Sequence, residues 1–470
     1  MKSTPPHAPG APAPACRSIL LAALLHAAAY LVLLPPWMGE DEPWHVEYAH
    51  HVAAGHRPWG GIEMTGVGPD KDYDDRELMS VSQLQVRRRV HGVTAQEIAD
   101  TQLELLDSMR AQAFWQRVDF MAWGAGALNF DQVQRDFTAT HQPPPYYLVA
   151  GALLGALRIE DVVAQLQVLR FLSVACYLAL VAAAWALGRH VARDPWIAAG
   201  CALFVAWLPM HARQAAVVNN DVLAKVLAGS AIALAAGMIA GRGGPRRMLG
   251  LVALLALALA TKTTAAGALA AGVPALAVGA RRRLGRLARV AFGLGSVVAL
   301  AAGATAYWYG THNPGLPLTL GNLQMRLAGA SRAFREDLWR TFVGAFNWYS
   351  RDLPPWVYVA VAAGMGLAGA GALVASVWRS SGARRGLMLL CWATIACQVV
   401  LIALRGVAAG RYFMPVLPAL GALVAAGLCA PLPARLRPRA AAGLCAALVL
   451  YDGVFLWSGL VLNQYARWGA

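Results

Sequence analysis

Long apolar stretches separated by short polar gaps run along almost the whole chain. Stretches of roughly 17 to 25 apolar residues match the thickness of a bilayer's hydrocarbon core, so each predicts a membrane-spanning helix. Eleven such spans are predicted, near residues 18–38, 168–187, 196–212, 222–240, 249–262, 264–280, 290–309, 356–377, 386–404, 412–430 and 440–462. The pattern is typical of an all-α polytopic membrane protein.

One apolar stretch does not fit this series. Pro144–Leu157 is only 14 residues long, which favours an interfacial or re-entrant helix over a span. If it crossed the membrane, every later loop would change sides. We therefore expect it to lie within one long outer loop, residues 39–167.

Composition supports the membrane assignment, because 58% of the residues are hydrophobic and only 14% are charged. About a quarter of the residues of a soluble protein are charged. The net charge of +15 is unevenly distributed. Residues 39–143 carry 17 acidic and 9 basic residues, whereas the remainder carries 8 acidic and 31 basic residues.

The basic residues concentrate in short gaps between apolar stretches, as in the loop 281–289 with its five arginines. This distribution indicates the cytoplasmic loops of a membrane protein and not a nucleic-acid-binding surface. It predicts a cytoplasmic N-terminus and an extracytoplasmic C-terminus.

The predicted organisation follows from these signs. It consists of a disordered cytoplasmic N-terminus (1–17), the first span (18–38), an extracytoplasmic loop (39–167) containing the interfacial helix 144–157, spans two to seven (168–309), an aromatic-rich extracytoplasmic loop (310–355), spans eight to eleven (356–462) and a tail (463–470). No internal repeat and no soluble domain is evident.

Three consecutive acids, Glu40, Asp41 and Glu42, follow the first span directly. Carboxylates at a membrane boundary are unfavourable unless they face water or a cavity. They could be a solvated end of the helix, or they could be catalytic groups held at the membrane surface. On a helix, His45 would share a face with Asp41 and Glu42.

Other candidate residues lie in further loops that are predicted to face outward. They are the segment His141–Tyr147, the motif Asn219–Asp221, Lys262, Trp348 and the segment Gly410–Pro415 with Arg411. Each has a simpler explanation as well: Asn and Asp cap helices, Lys and Arg extend toward the interface, and aromatic residues form interfacial belts.

Carboxylates and cations at one membrane face suit transfer of a sugar from a polyprenyl phosphate. A cation can hold the phosphate as it leaves, and a carboxylate can accept the proton of the attacking hydroxyl. No Rossmann glycine motif or P-loop supports the use of a nucleotide sugar. Glu47 and His51 are spaced to share a ligand, but no HExxH motif is present, and neither a metal nor a cofactor is expected.

Six motifs resemble those of the GT-C superfamily of membrane glycosyltransferases, which use lipid-linked sugar donors, and within it a bacterial family of predicted multi-pass membrane proteins. They are DEPWH (41–45), HQPPPYY (141–147), NNDVLA (219–224), TKTTA (261–265), WRTFVGAFNW (339–348) and GRYFMP (410–415). HQPPPYY is similar to the HPPLYY-type motif of protein O-mannosyltransferases and lipid A aminoarabinose transferases, although Gln142 departs from that pattern.

The resemblance implies roles for individual residues. It implies Asp41 as the catalytic acid of the first outer loop, with Glu42 as its partner or substitute, and Asp221 as the second acid. Arg411 and Lys262 would contact the donor phosphate. The remaining candidates for substrate contact are His45, His141, Tyr146, Asn220, Trp348 and Tyr412.

The sequence thus predicts a bacterial inner-membrane glycosyltransferase. It would move a sugar from a polyprenyl-phosphate donor to an extracytoplasmic glycan, lipid or protein acceptor. A transporter or flippase of a lipid-linked saccharide is the alternative, although transporters usually place ionisable groups near the bilayer midplane and show repeats. A cavity that joins Asp41, Asp221 and Arg411 would support the enzyme, whereas a separation of more than about 20 Å between Asp41 and Arg411 without a shared cavity would leave it without a mechanism.

Overall fold

The fold was analysed in a computed structural model of the full chain. The residues it describes are 16–39, 41–56, 142–192, 194–283, 338–346, 351–377, 382–405 and 410–461, with short pieces at 63–64, 88–89 and within 101–112 and 285–297.

The described segments are almost entirely helical. The helices are α1 (Cys16–Leu33), α2 (Glu42–Ala53), α3 (Pro145–Leu157), α4 (Val162–Ala192), α5 (Pro195–Trp207), α6 (Pro209–Ala215), α7 (Asp221–Gly237), α8 (Pro245–Thr261), α9 (Leu269–Arg283), α10 (Trp339–Val343), α11 (Pro355–Val377), α12 (Gly382–Arg405), α13 (Leu417–Cys429) and α14 (Arg437–Phe455). Short π turns extend α7 (Met238–Arg242) and α14 (Leu456–Val461), and 3-10 segments span Thr263–Ala268, Gly410–Val416 and Ala434–Leu436.

Four very short strands form two antiparallel ladders. They are β1 (Glu63–Met64) paired with β2 (Arg88–Arg89), and β3 (Ala345–Phe346) paired with β4 (Arg351–Asp352). Many helices begin with a proline in the first turn, as at Pro195, Pro209 and Pro245. Proline suits this position because the first helical N–H groups have no partner within the helix.

The chain is an all-helical, multi-pass membrane protein. Within the described residues, eight helices are long and apolar enough to span a membrane, or nine if α5 and α6, which meet at an angle of 63°, count as one broken span. The predicted span 249–262 corresponds to α8, which has 17 residues and is not among these eight helices. The predicted span 290–309 lies mostly outside the described residues.

The predicted interfacial segment does form a helix, since α3 has 13 residues and is too short to be counted among the spans. It packs mainly against α2, with smaller contacts to α4 and α8. The N-terminal residues 1–15, much of the loop 39–167 and the loop 310–355 lie largely outside the described part of the chain, so their predicted organisation stays a prediction.

Helix burial divides the bundle into a centre and a periphery. The span that contains α13 is 83% buried within the protein, whereas α11 is only 17% buried. Helices α4, α5, α7 and α13 pack closely together at the centre. The exposed side chains of α11, including Val359 and Leu367, suit contact with lipid.

A polar contact inside the bundle joins the first described helix to the last. In α1, the Nε2 atom of His26 lies 2.8 Å from Oδ2 of Asp452 in α14, and the Tyr30 hydroxyl donates to Oδ1 of Asp452 at 2.6 Å. The Nδ1 atom of His26 contacts the carbonyl oxygen of Ala206 in α5 at 3.0 Å. Polar groups are therefore paired where the surroundings are apolar.

Helices α11 and α13 cross at glycines. A Cβ atom at Gly427 would lie 1.9 Å from the carbonyl oxygen of Ala368, and one at Gly371 would lie 2.3 Å from the carbonyl oxygen of Gly427. Small residues allow such close backbone approach, which drives helix association in lipid.

We expect Gly427→Ala to separate α11 from α13 and to lower the free energy of unfolding by about 1–3 kcal/mol, the usual effect of overpacking. The matched control is Gly364→Ala in α11, where an added Cβ meets no atom within 4 Å. The control should leave stability unchanged or raise it slightly, because alanine favours helix. Thermal unfolding in detergent measures both, and equal midpoints for the two variants would contradict the crossing.

Candidate active site

A fully buried ion pair lies directly behind the acidic segment. Glu42 is the first residue of α2, Arg170 belongs to α4, and both side chains are 0% exposed. The Arg170 Nε atom donates to Oε1 of Glu42 at 2.9 Å, and Nη2 donates to Oε2 at 2.7 Å. This two-pronged geometry is the strongest arrangement of an arginine with a carboxylate. We call this pair the Glu42–Arg170 clamp.

The arginine of the clamp also holds the end of the first span. Arg170 donates through Nη1 to the carbonyl oxygen of Leu34 at 2.9 Å and through Nη2 to that of Pro35 at 3.0 Å. These carbonyl groups follow the end of α1, where the helix itself supplies no donor for them. The clamp therefore fixes how the chain leaves α1.

The carboxylate of the clamp holds two further backbone segments. Glu42 accepts a hydrogen bond from the Gly39 amide at 3.2 Å and one from the Val218 amide at 2.9 Å. Val218 immediately precedes the Asn219–Asp221 motif. The clamp thus holds both acidic motifs in place relative to each other.

Asp41 faces away from the clamp and toward an arginine that is 370 residues later in the chain. Its carboxylate accepts a hydrogen bond from Nη1 of Arg411 at 2.9 Å. Asp41 precedes α2 with a left-handed backbone (φ 60°) and makes no side-chain cap to the helix. Non-glycine residues adopt this conformation at some energetic cost, and such residues concentrate at functional sites.

The two acids of the DEPWH motif therefore differ sharply in accessibility. The Asp41 side chain keeps 30% of its exposure, whereas the Glu42 side chain has none. The prediction that Asp41, Glu42 and His45 share one helix face is not met, because Asp41 lies outside the helix and Glu42 is committed to the clamp.

A second ion pair stands beside the first. Lys262, at the end of α8, pairs with Asp221 at the start of α7, and both side chains are buried. The Lys262 Nζ atom also donates to Oδ1 of Asn220 at 3.1 Å, and Nδ2 of Asn220 donates to Oε1 of Gln142 at 3.3 Å. The HQPPPYY segment is thereby joined to the same site.

Helix capping explains only part of the Asn219–Asp221 motif. The Oδ1 atom of Asn219 accepts a hydrogen bond from the Asp221 amide at 2.6 Å, which is a local turn interaction. Asn220 occupies the position before the helix but makes no side-chain cap. Its side chain contacts Lys262 and Gln142 instead, so the motif serves the ion pair.

Tyr412 brings the two pairs together. Its ring centroid lies 5.4 Å from Cζ of Arg411 and 5.9 Å from Nζ of Lys262, within reach of cation–π attraction. We call Asp41, Arg411, Asp221 and Lys262 the four-charge cluster.

His45 lies close enough to the cluster for all four charges to affect its pKa. Burial is the main cause that lowers the pKa of His45 to about 3, and the positive charges of Lys262 and Arg411 lower it further against the two carboxylates. His45 is therefore uncharged at neutral pH. It can donate or accept one hydrogen bond, but it adds no charge to the site.

Charge also sets the ionisation of Asp41. Burial alone would raise its pKa, but Arg411 and Lys262 outweigh this effect and hold the pKa below its ordinary value. The carboxyl group is therefore ionised throughout the physiological pH range.

An aromatic wall adjoins the cluster. The Nδ1 atom of His45 and the Tyr147 hydroxyl share a hydrogen bond of 2.6 Å, and the Tyr48 ring stacks on that of Tyr147 with centroids 3.9 Å apart. The predicted candidate Tyr146 is buried next to this wall, with its ring edge-on to Tyr147 at 5.3 Å. Tyr147, and not Tyr146, contacts His45.

Two of the remaining motifs support the cluster from behind. The Gly410 amide donates to Oγ1 of Thr341 at 2.6 Å, and a Cβ atom at Gly410 would lie 2.2 Å from the Phe342 backbone nitrogen. Only glycine permits this approach. The Nε2 atom of Gln398 donates to the carbonyl oxygens of Thr264 and Tyr412, which ties the segment after Lys262 to the segment after Arg411.

The structure thus brings together most of the predicted site residues. Asp41, Asp221, Lys262, Arg411, Tyr412, His45 and Asn220 share one region, and Glu42 lies behind it in the clamp. His141 and Trp348 lie outside the described residues, so their predicted roles stay predictions. The Nε2 atom of His51 lies 3.9 Å from Oε1 of Glu47, and no metal-binding group of three or more side chains occurs in the part of the chain that is described.

Two residues around the site, Arg170 and Lys225, were missed by the sequence analysis, and Tyr147 was noted only as the end of the HQPPPYY motif. Lys225 is buried one turn after Asp221 and donates to Gln214 of α6. Arg170 and Lys225 both fall within stretches predicted to span the membrane. A charged residue within such a stretch is a sign of function, and this signal could have identified both.

Comparison with known proteins gives a family and a structural likeness. The family profile described as "Predicted membrane protein (DUF2142)" matches residues 24–420. Among curated protein sequences, none matches this chain. The crystal structure of ArnT from Cupriavidus metallidurans bound to undecaprenyl phosphate is similar over 95% of this chain and 73% of that chain, with 15% identity and a TM-score of 0.46. A TM-score this low supports no inference about function.

We expect Arg170→Met to lower the free energy of unfolding by about 3–5 kcal/mol, because it leaves the Glu42 carboxylate buried and uncompensated. Adding Glu42→Gln to this variant removes the uncompensated charge and should restore part of the loss. Thermal unfolding in detergent compares the two. A double variant that is less stable than Arg170→Met alone would contradict the clamp as a charge pair.

Proposed function

We propose that this chain, which belongs to the DUF2142 family of predicted membrane proteins, is an integral membrane glycosyltransferase of the GT-C type. It would transfer a sugar from a polyprenyl-phosphate donor to a glycan, lipid or protein acceptor. By the positive-inside count, the site would face the extracytoplasmic side of a bacterial inner membrane.

The observation that carries the proposal is the four-charge cluster. Two carboxylates and two cations from four distant segments meet where membrane helices end. Assembling such charges in a largely buried place has a high desolvation cost. That cost is understandable if the cations receive an anionic group and a carboxylate handles a proton.

The chemistry assigns a role to each member. The acceptor hydroxyl would attack the anomeric carbon of the donor while the Asp41 carboxylate accepts the hydroxyl proton. The bond between the anomeric carbon and the phosphate oxygen would break, and the polyprenyl phosphate would leave with both bonding electrons. Arg411 and Lys262 would stabilise the charge that develops on the leaving phosphate.

Donor binding would also activate the base. In the structure, Arg411 is paired with Asp41 and holds its pKa down. A donor phosphate would compete with Asp41 for Arg411. As Arg411 turns to the phosphate, the pKa of Asp41 would rise and the carboxylate would become a better proton acceptor.

Neighbouring residues would position the reactants. Asp221 would orient Lys262 and the donor, and the Glu42–Arg170 clamp would hold the Asp41 segment at the required place. His45, Tyr412 and Asn220 would contact the substrate or its cationic partners, and the buried Tyr147 would hold His45 in place through their hydrogen bond. His141 and Trp348 would extend the substrate contact, and the buried Tyr146 would support the aromatic wall.

A transporter or flippase of a lipid-linked saccharide is the competing function. The distance of 2.9 Å between Nη1 of Arg411 and Oδ2 of Asp41 supports the enzyme, since it is well below the separation of about 20 Å at which the mechanism would fail. Transport would use the same cations but would need no proton acceptor, so the two functions respond differently to loss of the Asp41 charge.

We expect Asp41→Asn to reduce sugar transfer by roughly 10²- to 10⁴-fold, the usual contribution of a general base. The assay follows label from polyprenyl-phosphate sugars into acceptors in proteoliposomes that contain the full-length protein. The matched control is Asp107→Asn, which removes the acid from an exposed Asp–Arg pair, with Arg110 at 3.1 Å, and should transfer at the wild-type rate. Saccharide that crosses the bilayer without being transferred, by wild type and Asp41→Asn alike, would establish the transporter instead.

The pH profile of Arg411→Gln tests the link between the two residues. In the wild type, the pKa of Asp41 is held low, so the acid limb of kcat/KM should lie below the ordinary range of an aspartate. Without the arginine charge, burial is less opposed and the pKa rises, so the acid limb should move to higher pH. An unshifted limb, with only a general fall in rate, would show that Asp41 is not the titrating base.

A further inference from the structure

A cavity lies at the opposite end of the bundle from the four-charge cluster. Arg411 stands at the start of a 20-residue span, Gly410–Cys429, and the cavity begins just beyond the end of that span. A helix of 20 residues is about 30 Å long, the thickness of a hydrocarbon core. The two sites therefore belong to opposite faces of the membrane.

The cavity has a volume of about 440 Å³ and is lined by Arg384, Arg437 and the turn Ala430–Pro433. This volume lies within the range of roughly 300 to 1,000 Å³ that is typical of ligand sites. Its charged lining is cationic, and its other lining residues are small or apolar.

The two arginines have different environments. Arg437 donates through Nη1 to Oδ2 of Asp194 at 2.7 Å and through Nε to the carbonyl oxygen of Leu432 at 3.3 Å. The Nε atom of Arg384 is buried and has no hydrogen-bond partner among the residues that the structure describes. A buried donor of this kind calls for an acceptor that the described part of the chain does not supply.

Both arginines also stand where a helix disfavours them. Arg384 lies in the first turn of α12 and Arg437 is the first residue of α14. The N-terminal end of a helix carries partial positive charge and favours anions, so a cation there is unfavourable. Two helix N-termini and two guanidinium groups around one cavity together create a strongly positive potential.

One carboxylate, that of Asp194, already lies within this positive potential. Asp194 pairs with Arg437 and also caps α5, since its Oδ1 atom accepts hydrogen bonds from the Trp196 amide at 2.9 Å and the Ile197 amide at 3.4 Å. Its charge balances one arginine. The other arginine of the cavity lining, Arg384, forms no ion pair with a carboxylate of the described residues.

We propose that this cavity binds a phosphate group on the membrane face opposite the four-charge cluster. The source would be the headgroup of an anionic phospholipid, or a soluble phosphate with the same charge. Arg384 would donate to the phosphate oxygens, and Leu432 with the prolines on either side would contact the apolar part of a lipid. The site is separate from the proposed transfer reaction.

The test measures binding of phosphatidylglycerol to the delipidated full-length protein by native mass spectrometry. Arg384→Gln should weaken binding about tenfold, because it removes a charged hydrogen bond. Asp194→Asn should tighten binding several-fold, because it removes the competing carboxylate, and asparagine caps a helix as well as aspartate does. Opposite effects from two changes at one cavity cannot come from misfolding.

The matched control is Arg246→Gln, which alters an arginine in the first turn of α8 that does not line the cavity. It should bind phosphatidylglycerol as the wild type does. Phosphatidylcholine, which has no net charge, should bind at least tenfold more weakly to the wild type. Displacement of phosphatidylglycerol by inorganic phosphate would identify a soluble phosphate as the ligand, and resistance to it would identify the lipid.

Equal loss of binding in Arg384→Gln and Arg246→Gln would overturn the proposal, since both would then act only as topology signals. Weaker binding by Asp194→Asn would overturn it as well, because the carboxylate would then support the site instead of opposing the anion.

Discussion

The rest of the site depends on the buried pair between Glu42 and Arg170. Their side chains form no hydrogen bond with those of the four-charge cluster, yet their hydrogen bonds set the end of α1, the start of α2 and the segment before α7. A charge pair without solvent contact is stable only when its geometry is close to ideal and its remaining polar atoms are satisfied. Here backbone N–H and C=O groups supply those partners. The ion pair and the three chain segments therefore complete their hydrogen bonds only when all of them are in place.

The cluster in front of this pair is of a different kind. The Asp41–Arg411 pair is partly exposed, and the Lys262–Asp221 pair is buried but connected to it through the ring of Tyr412. Two adjacent residues thereby have different roles. Glu42 stabilises the backbone through the Glu42–Arg170 clamp, and Asp41 stays accessible. The left-handed backbone at Asp41 is what turns two neighbouring carboxylates in opposite directions.

The spans were predictable from the sequence because apolar length is a strong local signal, and most of the predicted helices appear at nearly the predicted positions. The motifs were predictable because each pairs an ionisable residue with a helix end. The pairing itself was not predictable: Asp41 and Arg411 are 370 residues apart, and nothing in either segment specifies the other. Glu42 was predicted to be a catalytic residue because it is next to Asp41. Its partner Arg170 was not identified because it lies within an apolar stretch that was predicted to span the membrane.

The contact between α1 and α14 bears on how the protein is made. Asp452 is 426 residues later than His26, so at about 5–20 residues per second the first helix waits roughly 20–85 s for its partner. Asp452 lies in the last turn of α14, and an aspartate within a membrane helix opposes insertion, by about 2.5–3.5 kcal/mol at the helix centre and less toward its ends. The His26 imidazole and the Tyr30 hydroxyl, on a helix that is already in the bilayer, provide hydrogen-bond partners for the Asp452 carboxylate. Helix α14 can then enter by binding to α1, and assembly of the described bundle is completed only after Asp452 has been synthesised.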